Sequence, residues 1–213
     1  MKMTFWLFPL VIAASLLQGC VPALIGAGGM AGYSGLEDRR SAGVQFDDEG
    51  IEARAGGRIG ERYAEAVRVN VVSYNRSVLL TGDVPDARTR EDIEKMVRAL
   101  PGVRGVSNEL EVAGIASVGA RTNDSYVTSK VKARFFDAGK FSHVHVKVVT
   151  ENSVVYLLGI VTEAEANEAV DLARTVAGVR KVVKIFEYCK ATDELCRPRT
   201  KEPADPQKPK PAA

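Results

Sequence analysis

His143 and His145 are the two histidines of the 213-residue chain, and they stand as H-x-H. Residues two apart on a strand share a face, so both imidazoles would project together and could hold a transition metal. No third ligand is evident, and structural zinc sites use four, so the expectation is an exposed strand edge with Lys147 on the same face and no metal. A second candidate lies in "NDSYVTSKVKARFF", residues 123–136, which reads as one helix. Val127, Val131 and Phe135 recur at i, i+4 and i+8 and make a core stripe. Tyr126, Ser129, Ala133 and Phe136 cluster on the opposite side, with Lys130 and Lys132 flanking them. Rings beside amines suit a charged bilayer surface, the rings entering the headgroup region and the amines meeting phosphate. The alternative is that Phe136 packs on the adjoining loop, or Tyr126 on the other half of the chain.

Chemistry of a different kind opens the chain. "MKMTFWLFPLVIAASLLQGC" has a basic start at Lys2 and an apolar run from Phe5 to Leu17. That run is shorter than the ~20 residues a spanning helix needs, and small residues follow it, as in a secretory signal. "LLQGC" resembles a bacterial lipobox, with Leu17 at −3, Gly19 at −1 and Cys20 next. The resemblance implies cleavage before Cys20 and lipidation of its sulfur and amine. Several acyl chains at one cysteine hold a protein to a bilayer almost permanently, at about 0.8 kcal/mol per buried methylene. Val21, rather than Asp, follows Cys20; by the lipoprotein sorting rule this implies the outer membrane, with the chain facing the periplasm. With Cys20 acylated, Cys189 and Cys196 are left, bracketing "KATDEL". C-x6-C is neither a redox nor a zinc spacing, and an oxidising compartment favours a disulfide between them.

Lysines and arginines number 29 against 27 acids, a net charge of +2, and 46% of residues are hydrophobic. That is globular composition without the strongly basic balance of a nucleic-acid binder, so no nucleic acid is expected. No nucleophile elbow, P-loop or dinucleotide fingerprint occurs, and "GAGGMAG" follows no strand. Neither an enzyme nor a cofactor is expected. Acid pairs such as Asp47 and Asp48 are placed at a helix start, capping it and complementing its dipole.

An internal repeat organises the middle of the chain. "VLLTGDVPDARTREDIEKMVRALPGVRGVSNELEV" aligns with "VYLLGIVTEAEANEAVDLARTVAGVRKVVKIFEY", Gly82 with Gly159 and Val84 with Val161. Ahead of each lies an alternating segment, and ahead of that a helical pattern, Ile51, Ala55 and Ile59 in the first copy. Each copy therefore reads helix–strand–strand–helix–strand, with "YNRS" and "TENS" as hairpin turns. The fold class is α+β, with a small mixed sheet per copy. The domain plan is a signal at 1–19, a flexible tether at 20–45, domains at 46–115 and 122–189 joined by "GIASVGART", and a Pro-rich disordered tail at 190–213.

The strand-turn "VLLTGDV" or "VYLLGIV", a helix, then "GVRGV" or "GVRKV", resembles the BON domain. With "LLQGCV", "RSAGVQFDDEGIEAR" and "TNDSYVTSKVKARFF", the chain is similar to dual-BON outer-membrane lipoproteins associated with division and envelope stress. That resemblance implies binding rather than catalysis, with the second domain holding anionic phospholipid, phosphatidylglycerol or cardiolipin, through its first helix. It also implies support of the outer-membrane barrier and gathering at the division site. The family's helix aromatic is a Trp where this chain has Tyr126, and its other apolar contact matches Phe136. The first copy is an internal control: Gly50, Ala53, Gly57 and Gly60 replace Tyr126, Ser129, Ala133 and Phe136. The competing function is a scaffold that contacts an envelope protein machine without reading lipid.

Overall fold

The computed structural model describes residues 38–115 and 117–196. Two copies of one α–β–β–α–β unit follow each other, as the repeat predicts. The first comprises α1 (Ala42–Tyr63), β1 (Arg68–Tyr74), β2 (Ser77–Val84), α2 (Ala87–Arg98) and β3 (Gly105–Val112). The second comprises α3 (Val118–Ala138), β4 (Val146–Glu151), β5 (Val154–Val161), α4 (Glu163–Arg174) and β6 (Lys181–Tyr188). In each sheet the central strand pairs antiparallel with the first and parallel with the last, which is reached through the crossover helix. The helices bury their stripes on one face of each sheet. Ile51, Ala55 and Ile59 meet Val78, Leu80, Ile93 and Val97; Val127, Val131 and Phe135 meet Val155, Leu157, Ala166 and Ala169.

Both hairpins turn through two residues in the left-handed region, Asn75 and Arg76 (φ 51° and 64°), then Asn152 and Ser153 (φ 48° and 61°). Such primed turns match strand twist but leave their N–H groups pointing away from the ladder. A buried carboxylate collects them. Asp48 accepts from Asn75 N at 2.8 Å, Arg76 N at 2.7 Å and Ser73 Oγ at 2.6 Å. Asp124 accepts from Asn152 N and Ser153 N, each at 2.8 Å. Asp48 is therefore not the helix cap expected of it. The α1 N-cap is Ser41, whose hydroxyl accepts from Val44 N, and Asp48 lies inside the helix, aimed at the turn. Gly82 and Gly159 have one cause: a Cβ there would stand 2.0 Å from the Arg68 carbonyl oxygen and 2.3 Å from that of His145.

Several boundaries shift. Helix α1 starts at Ala42 and residues 38–41 are bonded into the fold, so residues 38–45 of the expected tether belong to the first domain. Helix α3 starts at Val118, capped by Ser117, which shortens the linker between the copies. Residues 190–196 form a turn rather than tail, closed by the Cys189–Cys196 disulfide, with Cys196 buried. His143 and His145 occupy a 3-10 turn ahead of β4 rather than a strand, so their rings do not share a face.

The free faces of the two sheets meet. Val72, Tyr74 and Leu79 pack with Val154, Tyr156, Leu158, Ile160 and Cys196 in a third apolar cluster. Burial there pushes the Tyr74 phenol up to about 12. Polar pairs rim this seam reciprocally. Asn75 donates to Glu187 at 2.6 Å, and its repeat equivalent Asn152 donates to Glu111 at 3.0 Å. Arg68 reaches both Asp83 (2.7 Å) and Glu151 (2.5 Å), and Lys147 lies 3.2 Å from Glu52.

Candidate functional site

Helix α3 separates its two stripes cleanly. Val127, Val131 and Phe135 are buried together with Asp124. On the opposite side Tyr126 is 63% exposed and Phe136 68% exposed. Ser129, Lys132 and Ala133 are exposed between and beside them. Lys130 is held differently: its Nζ donates to the Ala177 carbonyl and lies 4.6 Å from the Tyr126 ring centre. Its charge therefore braces the tyrosine and the end of α4. The Phe136 ring is also partly used, standing edge-on to His143 with centroids 5.4 Å apart. Two rings are therefore exposed on this side, one of them leaning on the adjoining turn.

The stripe is longer than the sequence suggested. Val118, 69% exposed, lies two helical turns ahead of Tyr126 on the same side. It was read as linker; its i, i+4, i+8 spacing with Thr122 and Tyr126 was the signal available. The hydroxyls along this face are already satisfied. Thr122, Ser125 and Ser129 each donate to the carbonyl four residues back, so the surface between the rings makes few demands on water.

Helix α1 supplies the contrast, with one correction. The positions equivalent to Tyr126 and Phe136 are Gly50 and Gly60. An exposed ring nevertheless remains one turn earlier, at Phe46, which is 74% exposed. The charges also differ. Helix α3 carries four basic and two acidic residues, with Asp124 buried; α1 carries three basic and five acidic. An anionic surface would attract α3 and repel α1.

The other candidates are structural. His145 Nδ1 lies 3.5 Å from Glu165 Oε1, whereas His143 packs on Phe136. Among the described residues no cluster of three or more metal-capable side chains occurs. A cleft of about 370 Å³ opens at the seam, lined by Tyr74, Asn75, Arg98, Lys184, Phe186 and Glu187 among others, none of them histidine or cysteine. No helix among the described residues is long and apolar enough to cross a membrane. Cys20 lies outside the described residues.

Comparison with known proteins agrees with this architecture. The model of the BON domain matches residues 47–114 and 123–190. The outer membrane lipoprotein DolP of Haemophilus influenzae is 40% identical over 179 residues, covering 83% of this chain and 92% of its own length. A 21 kDa hemolysin of Actinobacillus pleuropneumoniae is 36% identical, over 71% of this chain and 79% of that protein. The osmotically-inducible protein Y of Escherichia coli is 29% identical, over 71% of this chain and 78% of that protein. With both repeats matched and the α–β–β–α–β unit formed twice, the chain belongs to the BON-domain family and carries two BON domains in tandem.

Proposed function

We propose that this protein is a lipoprotein of the outer membrane, held by acyl chains on Cys20, whose second BON domain binds anionic phospholipid through the outer stripe of α3. The name borne by the Haemophilus influenzae relative supports the compartment and the anchor. The observation that carries the lipid reading is the exposure of Tyr126 and Phe136 on a net basic helix whose opposite stripe is fully buried. Lys132 and Arg134 offer amine and guanidinium near the headgroups, each contributing about 1 kcal/mol at an anionic surface. Partial burial of two rings adds a few kcal/mol. The sum is a weak contact by itself. An anchored domain meets its surface at high effective concentration, so weak contacts suffice. Support for the envelope barrier, and a presence where the cell divides, would follow from a domain that reads phospholipid from the periplasmic side.

The test is flotation of the processed chain, made soluble by Cys20→Ser, with vesicles of phosphatidylglycerol, cardiolipin or phosphatidylcholine. Binding to the first two, weakened by salt, is expected. Equal recovery on phosphatidylcholine, or none on any vesicle, defeats the proposal. A second reading, contact with an envelope protein, is favoured by the exposed ring of Phe46 on the net acidic helix α1. It predicts that Phe46→Glu leaves vesicle binding unchanged and removes a protein partner from crosslinked envelopes.

A further inference from the structure

Arg39 belongs to the segment leading from Cys20 into α1, yet its side chain leaves the first domain. It is 7% exposed and forks onto Glu165 of α4, Nη1 to Oε2 at 2.7 Å and Nη2 to Oε1 at 2.9 Å. Nη1 also donates to the Ile160 carbonyl at 2.7 Å. Paired N–H donors on a carboxylate give a fixed geometry that a lysine cannot reproduce. Glu165 is itself fixed, closing the α4 capping box with Thr162. Arg40, next in sequence, turns to the first domain, bonding Asp38 and Asp48 and lying 4.1 Å from the Tyr74 ring centre. In the repeat the position equivalent to Arg39 is Ile115, which is exposed, so the module does not need this arginine to fold.

The place where Arg39 docks matters more than the bond. Glu165 lies 3.5 Å from His145, His145 shares its 3-10 turn with His143, and His143 packs on Phe136. Lys140, just past α3, adds a 2.8 Å ion pair to Glu168 at the same end. Tyr126 sits ten residues back along α3, about 15 Å away along the axis. We infer that Arg39 is a latch: it pins the anchor-proximal segment to the second domain beside the Phe136 end of α3, so this end meets the acyl-anchored leaflet first and most deeply. This inference rests on the proposed lipid contact and adds an orientation and a positioning residue to it.

Trp6 is the chain's one tryptophan and precedes Cys20, so the processed protein has none. F136W and Y126W are then single reporters in the full-length acylated protein, reconstituted in phosphatidylglycerol–phosphatidylethanolamine vesicles carrying acyl-chain nitroxide. Quenching of F136W is expected to exceed that of Y126W at least twofold. Arg39→Glu should equalise the two, and Arg39→Glu with Glu165→Arg should restore the difference, which a merely stabilising role would not do. Should Arg39→Glu melt below the assay temperature, Arg39→Gln decides. Equal quenching in the parent protein, or a difference that survives both Arg39 variants, overturns the latch alone. No quenching of either reporter overturns the lipid contact and the latch with it.

Discussion

Replacing Phe136 by glutamate measures how much of the vesicle affinity comes from one ring. The side chain is 68% exposed, so about two thirds of its surface is available to lipid. Full burial of a phenylalanine contributes roughly 1.5–3 kcal/mol, so Phe136 supplies about 1–2 kcal/mol. A carboxylate in its place adds a repulsion of about 1 kcal/mol at an anionic surface, opposite in sign to a lysine's attraction. The combined loss of about 2–3 kcal/mol is roughly a 30- to 150-fold drop in partitioning. The fold should barely respond. The ring's packing partner outside the helix is the His143 edge, and losing such a contact costs about 1 kcal/mol, a few degrees in melting temperature. Tryptophan-free protein carrying Cys20→Ser, titrated with phosphatidylglycerol vesicles and followed by sedimentation, gives the partition coefficient, and circular dichroism gives the melt. A partition coefficient within threefold of the parent, in a variant that melts normally, would refute the assignment of this ring to lipid.

Four further outcomes follow from the structure. Asp124→Ala orphans the N–H groups of Asn152 and Ser153 at a left-handed turn and should cost about 2–4 kcal/mol in urea unfolding. Gly159→Ala places a methyl 2.3 Å from the His145 oxygen and should destabilise the second domain by about 2–3 kcal/mol, read by the same method. Reducing the Cys189–Cys196 bond, a sequence separation of 7, should cost about 2.5 kcal/mol, seen as a lower melt with reductant. For Glu165, burial acts to raise the carboxyl pKa, but His145, Arg39 and the Thr162 N–H outweigh it and hold it well below the usual carboxylate range. A folded-state value below the unfolded one gives stability that is present at neutral pH and lost as pH falls below about 4.5. Glu165→Gln should therefore flatten the acid side of the stability–pH curve, measured by chemical denaturation between neutral pH and pH 3.

Periodicity and repetition made much of this protein legible from residues alone. The i, i+4, i+8 stripes of Val127, Val131 and Phe135, and of Ile51, Ala55 and Ile59, named the faces the helices bury, because a helix must hide an apolar stripe whatever it packs on. The paired glycines and turn tetrapeptides marked positions where backbone sterics admit few residues. The outer stripe of α3 was visible as well, since Tyr126 and Phe136 had no place in the core pattern. What stayed hidden depends on partners distant in sequence. Asp48 reads as a capping acid, and only the fold brings the turns 27 to 29 residues later over it and over Asp124. The H-x-H pair looked like a strand because two residues cannot distinguish a strand from a 3-10 turn. Phe46 stands out in no pattern and Val118 falls in the linker, since exposure is a property of neighbours. Local pattern determined which elements form and which sides they bury. The meeting of the two sheets, and the reach of Arg39 across 126 residues to Glu165, were decided by tertiary structure, because such contacts are paid for by surfaces that exist only after both domains have folded.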